Sequence, residues 1–226
     1  NGNNMSYMWN EFNIKTFPAE TIVYRDGKYC PELSTIDDAP INEKYDLPVH
    51  IIYIGEIAGK NDLNINVGSE NQNVIVSVNI KINSPAFLNI FIKNAGKNSE
   101  IRGTVLIQNE SEFTYNCETQ HLKNNTDILV KNKLLAYKGS VSKLSGTAVI
   151  EPKCPECESD ISFLAMAETG AKIDFMPSQR ISSEPQAADH SASIYKPTDA
   201  QIQYLRGAGL SGIEVDMVIK EAFLSE

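Results

Sequence analysis

The sequence predicts an all-β body that closes with a small helical hairpin. Three observations carry that prediction. Short runs of alternating apolar and polar residues recur every 10–14 residues or so. Asn and Gly fill the gaps between them, and two helix-start patterns stand near the C-terminus. A chain of 226 residues is long enough for a substantial core in one or two domains. The formal net charge of -9, from 29 acidic against 20 basic residues, together with the lack of any Lys/Arg cluster, argues against a nucleic-acid ligand. No apolar run approaches the roughly 20 residues of a membrane span, and no secretory pattern is present, so a cytoplasmic protein is the expectation.

Taken in order, Asn1-Gly2-Asn3-Asn4 are left out of the fold reading. From Met5 to Phe17 the residues Met8, Trp9, Phe12 and Phe17 suggest a short amphipathic helix or an irregular hydrophobic arm. Thr21-Val23-Tyr24 and Lys28-Tyr29, joined by Asp26-Gly27, read as a hairpin, because Asp-Gly supplies the positive φ angles of a tight turn. Residues 32–47, among Pro31, Pro40 and Pro48, read as loop. Strands are predicted at 49–54, 63–67, 74–82, 86–92, 101–107 and 128–130, and a run of short strands ends in Ala187–Ala192. In 74–82, Val74, Val76, Val78, Ile80 and Ile82 alternate with Ile75, Ser77, Asn79 and Lys81, giving one apolar and one largely polar face. No helical segments separate the strands, which excludes a doubly wound α/β sheet and leaves a sandwich or a parallel solenoid. Asn61, Asn64, Asn66, Asn71, Asn73, Asn79, Asn83, Asn89, Asn94 and Asn98 suit solenoid corners, since Asn tolerates left-handed backbone; no strict short repeat accompanies them. The chain divides into an N-terminal arm and hairpin (1–48), a β core (49–196) and a helical domain (197–226).

Thr198-Asp199-Ala200-Gln201 and Ser211-Gly212-Ile213-Glu214 both have the form of a capping box. They predict a helix over 199–206 that stops at Gly207, and a second over 212–224 with Val215, Val218, Ile219, Ala222 and Phe223 on one face. Gly207-Ala208-Gly209-Leu210-Ser211-Gly212 matches G-x-G-x-x-G, but it follows a helix instead of a strand, so it reads as a helix stop and start.

Two groups carry candidate chemistry. Asp189-His190 sets a carboxylate beside an imidazole, suited to iron, zinc or acid/base work, although neighbours on a strand point to opposite faces. Of the four cysteines, Cys30, Cys117, Cys154 and Cys157, the last two form a C-x-x-C pair, compatible with a structural turn, half a metal site or a redox dithiol.

The C-terminal half resembles the SufB/SufD family, the non-ATPase subunits of the SUF iron–sulfur cluster assembly machinery. Gly139-Ser140, Gly146–Ile150, Asp174-Phe175-Met176-Pro177, Ala188–Ser193 and Gln203–Leu210 carry the resemblance, the last two blocks most specifically. It implies a right-handed parallel β-helix with a C-terminal helical domain, pairing of two such subunits through their β-helices, and docking of a SufC-like ABC ATPase on the terminal helices. It also places the family's His on His190 and the preceding acidic residue on Asp189. The thiol that SufB-like members carry ahead of that His falls on Ser162, which favours a SufD-like or homodimeric scaffold.

The reading is therefore a non-catalytic scaffold with no cofactor needed for folding and transient iron or cluster at His190 and Asp189, Cys154 and Cys157 being reserve ligands. Its partners are the ATPase, met by Tyr204, Leu205, Leu210, Ile213, Val218 and Phe223, and a second copy or a SufB-like subunit covering the β-helix end near 160–181. Alternatives are a polysaccharide-active β-helix enzyme, which needs paired carboxylates that the sequence does not bring together, and a purely structural oligomer.

Overall fold

The computed structural model describes residues 19–38 and 40–225: a parallel β-solenoid of about six turns with two helices folded against its side. One sheet runs β13 (Ala187–Tyr195), β11 (Glu158–Ala167), β9 (Asp127–Ala136), β7 (Glu100–Asn109), β5 (Asn73–Ile82), β3 (Val49–Glu56), β1 (Glu20–Arg25) and β2 (Lys28–Tyr29). The other runs β12 (Lys172–Ile181), β10 (Val141–Ile150), β8 (Glu112–His121), β6 (Ala86–Asn94) and β4 (Gly59–Val67). Beyond β3, odd and even strands fall in different sheets and like neighbours pair in parallel, so the chain coils and an antiparallel sandwich is excluded. Among the described residues the single antiparallel pair is β1–β2, whose turn has Asp26 and Gly27 at φ 50° and 79°, the predicted tight hairpin.

Alternation dictates the coil. Each strand sends every second residue inward, where Val74, Val76, Val78, Ile80 and Ile82 stack on Ile101, Val105 and Ile107 and face Leu88, Ile90 and Ile92. Full burial of each such side chain contributes roughly 1.5–3 kcal/mol. Larger groups fill the later rungs, where Tyr115 stacks near Phe113, meets Phe163 edge-on and donates its hydroxyl to Asn132 Oδ1 at 2.7 Å. At one set of corners Asn71, Asn98 and Asn125 adopt φ of 54°, 57° and 53°. They bond to one another through their side-chain amides, each 27 residues from the next. Asparagine takes this left-handed conformation at low cost, and the stacked amides tie rung to rung.

The first turn is closed by the segment after the hairpin. Thr35 Oγ1 accepts from Thr21 N–H, Ser34 Oγ accepts from Val23 N–H, and Ile41 forms a parallel bridge to Val67. The region expected to be loop thus holds a 3-10 turn (Pro31–Leu33) and this bridge, and β1 extends the solenoid sheet by pairing in parallel with β3. The arm expected over Met5–Phe17 lies outside the described residues. At the other end no residue of β12 or β13 is buried.

Helices α1 (Asp199–Gly207) and α2 (Gly212–Leu224) both start on the predicted capping boxes. The stop differs from the expectation at Gly207: the left-handed residue is Gly209, φ 92°, whose N–H reaches Arg206 O while Leu210 N–H reaches Leu205 O. Gly207 remains helical because the tight closing turn needs its left-handed residue two positions later.

Candidate functional site

The open last rung carries the residues singled out for chemistry. Register pairs Ile161 with His190 and Asp160 with Asp189. Since Ile161 belongs to the buried core, His190 takes the inward side of the solenoid, and Asp189 the outward side. The structure therefore does not bring Asp189 and His190 together on one face. Both are exposed. On the inner side, Ala188, Ala192 and Ile194 share His190's face, and Ile173, Phe175 and Pro177 extend the columns of β10. On the outer side Asp160 is pushed above the ordinary carboxylate value by burial and then by the charge of Asp189. Ser162 is paired with Ser191, one residue out of phase with His190, so it too faces outward.

Cys154 and Cys157 lie in the corner between β10 and β11, buried with Ile150 in a small cluster against which Ala188 packs. Cys157 Sγ donates to Lys123 O at 3.2 Å and lies 3.3 Å from Thr126 Oγ1, which is 2.8 Å from His121 Nδ1. Burial pushes the Cys154 thiol up and lowers His121 to about 4, so the imidazole is neutral; its Nε2 has no hydrogen-bond partner among the described residues. This corner sits at the same end of the solenoid as His190. It is not joined to it in one ligand set: among the described residues, no three His, Cys, Asp or Glu side chains are grouped to hold a metal ion.

The helical hairpin folds back on the outer face of the larger sheet. Val215, Ile219 and Phe223 bury themselves against Leu135 and Met166, with Ile202, Leu205 and Leu210 packed at the margin. Phe223 stacks on Tyr195 at 5.8 Å and its carbonyl accepts from Lys133 Nζ at 3.0 Å. Lys220 pairs with Glu168 and Asp216 and lies 5.3 Å from the Tyr137 ring centre. Of the residues predicted to meet a partner, Phe223 is thus an internal anchor and Leu205 and Leu210 are half-buried. Tyr204 and Ile213 are each 77% exposed, and Val218 is exposed beside them. A cleft of about 440 Å³ opens between hairpin and sheet, lined by Leu164, Tyr195, Tyr204, Val218 and Ala222 among others.

Over residues 58–223 the chain matches the family described as SUF system FeS cluster assembly, SufBD core domain. The chain belongs to the SufBD family. No curated protein matches it. The SufBD core takes in all of the solenoid from β4 onward and nearly all of the hairpin, so the match spans both the open rung and the helices. No helix among its described residues is long and apolar enough to cross a membrane.

Sequence reasoning missed the pad that receives the hairpin. Its signal was available: Leu134-Leu135-Ala136 and Ala165-Met166 break the alternation, and consecutive buried residues on a strand mean that both faces are covered. It also missed exposed Met217 on α2, and the Cys157–Thr126–His121 chain, which joins residues on different rungs and leaves no local pattern.

Proposed function

We propose that this SufBD core is a non-catalytic scaffold of iron–sulfur cluster assembly that docks a SufC-like ABC ATPase through its helical hairpin. One observation carries the reading. The hairpin is anchored to the solenoid through Val215, Ile219 and Phe223 and still leaves Tyr204, Ile213, Met217 and Val218 exposed, Tyr204 and Val218 along the cleft between hairpin and sheet. An exposed apolar surface on a fixed amphipathic helix suits a helix-in-groove contact, with Glu214 and Glu221 as an acidic rim. The anchoring also gives a mechanical route: force applied to the hairpin reaches β9 and β11 through Leu135 and Met166, next to the last rung.

The open rung is the surface for the second subunit, a copy of this chain or a SufB-like relative. Its bare strand edges and the apolar inner side chains Phe175, Ile181 and Ile194 favour pairing. His190, inside that rung, contributes one donor to cargo held at the junction, while Asp189 acts from the rim. Cys154 and Cys157 stand one corner below as reserve donors.

The docking claim is tested by titrating the cognate ATPase against three proteins: the full chain, a truncation ending at Lys196, and Tyr204→Ala with Ile213→Ala. The truncation abolishes binding, but it also bares Leu135 and Met166. The double variant keeps the anchor and weakens binding by roughly tenfold or more, the scale of apolar hot-spot residues. Equal affinity of the full chain and the double variant overturns the docking surface.

A further inference from the structure

We propose that Cys154 and Cys157 form a reversible disulfide, and that closing it shifts edge strand β13, which carries His190. The inference stands on the corner itself and does not depend on the ATPase or on pairing of subunits.

Four observations converge on this corner. The corners 68–72, 95–99, 122–126 and 182–186 each have five residues, whereas 151–157 has seven, and the extra length carries the C-x-x-C pair. Both thiols fall in one buried cluster, apart from the main core and the hairpin seam. The corner holds two non-glycine residues in left-handed conformation, Lys153 at φ 67° and Glu156 at φ 59°, each directly ahead of one of the cysteines. The fourth is the hydrogen bonding on either side. Below, the Cys157 thiol donates to Lys123 O and Asn125 N–H reaches Pro155 O at 3.1 Å. Above, Cys154 N–H reaches Ser183 Oγ at 2.9 Å, Glu156 N–H reaches Glu184 O at 3.3 Å, and Gln186 N–H reaches Cys157 O at 2.8 Å.

These bonds make the cysteine corner the mount for the start of β13. A disulfide has no S–H, so oxidation deletes the donor to Lys123 O, and it draws 154 and 157 together. The first change frees the corner from the rung below, and the second moves Cys154 N–H and Cys157 O, which hold Ser183 and Gln186. The oxidant is a small disulfide such as glutathione disulfide. A thiolate of the pair attacks it, releasing one small thiol and leaving a mixed disulfide; the other cysteine's thiolate then attacks the protein-side sulfur and expels the second small thiol. The pair loses two protons and two electrons, and the oxidant gains both electrons as two thiols. Terminal rungs open locally more readily than interior ones, and that opening admits the oxidant.

The two other cysteines are built-in controls. Cys117 sits inside the core, its thiol pushed up to about 12 by burial, while Cys30 is half-buried and has no cysteine nearby in sequence. The full chain is equilibrated across glutathione/glutathione disulfide ratios, then alkylated and mapped by peptide mass. The expected result is loss of both hydrogens from the peptide holding Cys154 and Cys157 in a single transition, with Cys30 taking up one glutathione and Cys117 unchanged. Amide hydrogen exchange over 187–190 is expected to differ several-fold between oxidised and reduced protein, and to be insensitive to oxidant in C154S/C157S. A pair still reduced where Cys30 is fully modified, or one glutathione on each cysteine, overturns the disulfide. Equal exchange in the two forms of the unmutated chain, or an unchanged response in the double variant, overturns the coupling to β13.

Discussion

At its β1 end the solenoid is closed by its own chain, whereas at its β13 end none of the described residues covers the last rung. The closed end spends side-chain hydrogen bonds from Ser34 and Thr35 and the bridge at Ile41 to cover β1, so that Ile22 and Val23 are buried although β1 begins the stack. The open end continues the same inward columns, and no residue of β12 or β13 is buried by the described residues. One column shows the contrast directly: Ile51, Val76, Gly103, Val130, Ile161, then His190. A position that is aliphatic or glycine throughout the interior becomes an imidazole on the bare rung. Solenoids need capped ends to avoid edge-to-edge association. Among the described residues the two ends therefore differ both in cover and in the chemistry of this inward column.

The largest test of this contrast uses two rings in contact across the last two rungs. Phe163 is 2% exposed and its ring centre lies 5.9 Å from that of Phe175, which is only half-buried on β12. Phe163→Ala is expected to cost about 3–5 kcal/mol, as deletion of a fully packed ring does. Phe175→Ala should cost about 1 kcal/mol in the isolated chain, because less packing is lost. Urea denaturation of both variants at low protein concentration decides the matter, and equal costs would mean that the β13 end is already covered. Next in size is Gly146→Ala. A Cβ there would lie 2.8 Å from Phe163 Cε2 and 3.0 Å from Ile161 Cγ2, both held in a packed interior. Overpacking of about 1–3 kcal/mol is expected, read by the same denaturation series.

The course of the solenoid was legible in the sequence wherever the inward residues are aliphatic. In β5, Val and Ile occupy every inward place, and alternation alone gives both the strand and its buried face. In β8 the inward places are Phe113, Tyr115, Cys117, Thr119 and His121, too polar for alternation to stand out, and the strand went unmarked. The choice between sandwich and coil came from the family resemblance. A physical signal existed in Asn71, Asn98 and Asn125, whose spacing of 27 is the length of a rung, but it holds for only three corners before the longer connection at 137–140 and then the cysteine corner lengthen the period. For the site, strand geometry alone puts His190 and Asp189 on opposite faces, but which of them points inward depends on register, and register is a long-range property. The burial of Phe223 was equally hidden, because an amphipathic face does not state which surface it meets.

The hairpin latch gives a smaller effect with a definite pH dependence. Burial draws the Lys220 ammonium down and raises the Glu168 carboxyl. Hydrogen bonds and the opposite charges of their partners together outweigh burial in both, so Lys220 is held above its ordinary value and Glu168 below its own. The contribution of Glu168 is complete above the ordinary carboxylate range and is lost as pH falls through its lowered folded value; that of Lys220 is lost as pH rises through its raised folded value. Lys220→Met should cost about 1 kcal/mol near neutrality, a charged hydrogen bond discounted for partial exposure. Thermal unfolding should show the gap from the parent chain closing in acid. A gap that persists there would assign the loss to packing against Tyr137.

The smallest effect bears most directly on the open rung. Asp160 is raised by burial first and by the Asp189 charge second, with Lys131 opposing. A carboxyl whose folded value is raised binds its proton more tightly in the folded chain, so the stability tied to it is complete below the ordinary carboxylate range and lost as pH rises through the folded value. At neutral pH the two carboxylates therefore weigh against β13. Asp189→Asn should remove the charge part and leave the burial part, lowering the Asp160 midpoint in an NMR titration and stabilising the chain by about 0.5 kcal/mol or less at pH 7, with no gain in acid. The consequence reaches beyond two side chains, because the Asp160–Asp189 pairing is the same register that sets His190 over Ile161. An Asp160 midpoint unmoved by Asp189→Asn would show β13 shifted along β11. A shift of one residue would turn His190 out of the solenoid and Asp189 into it, exchanging their roles at the open end.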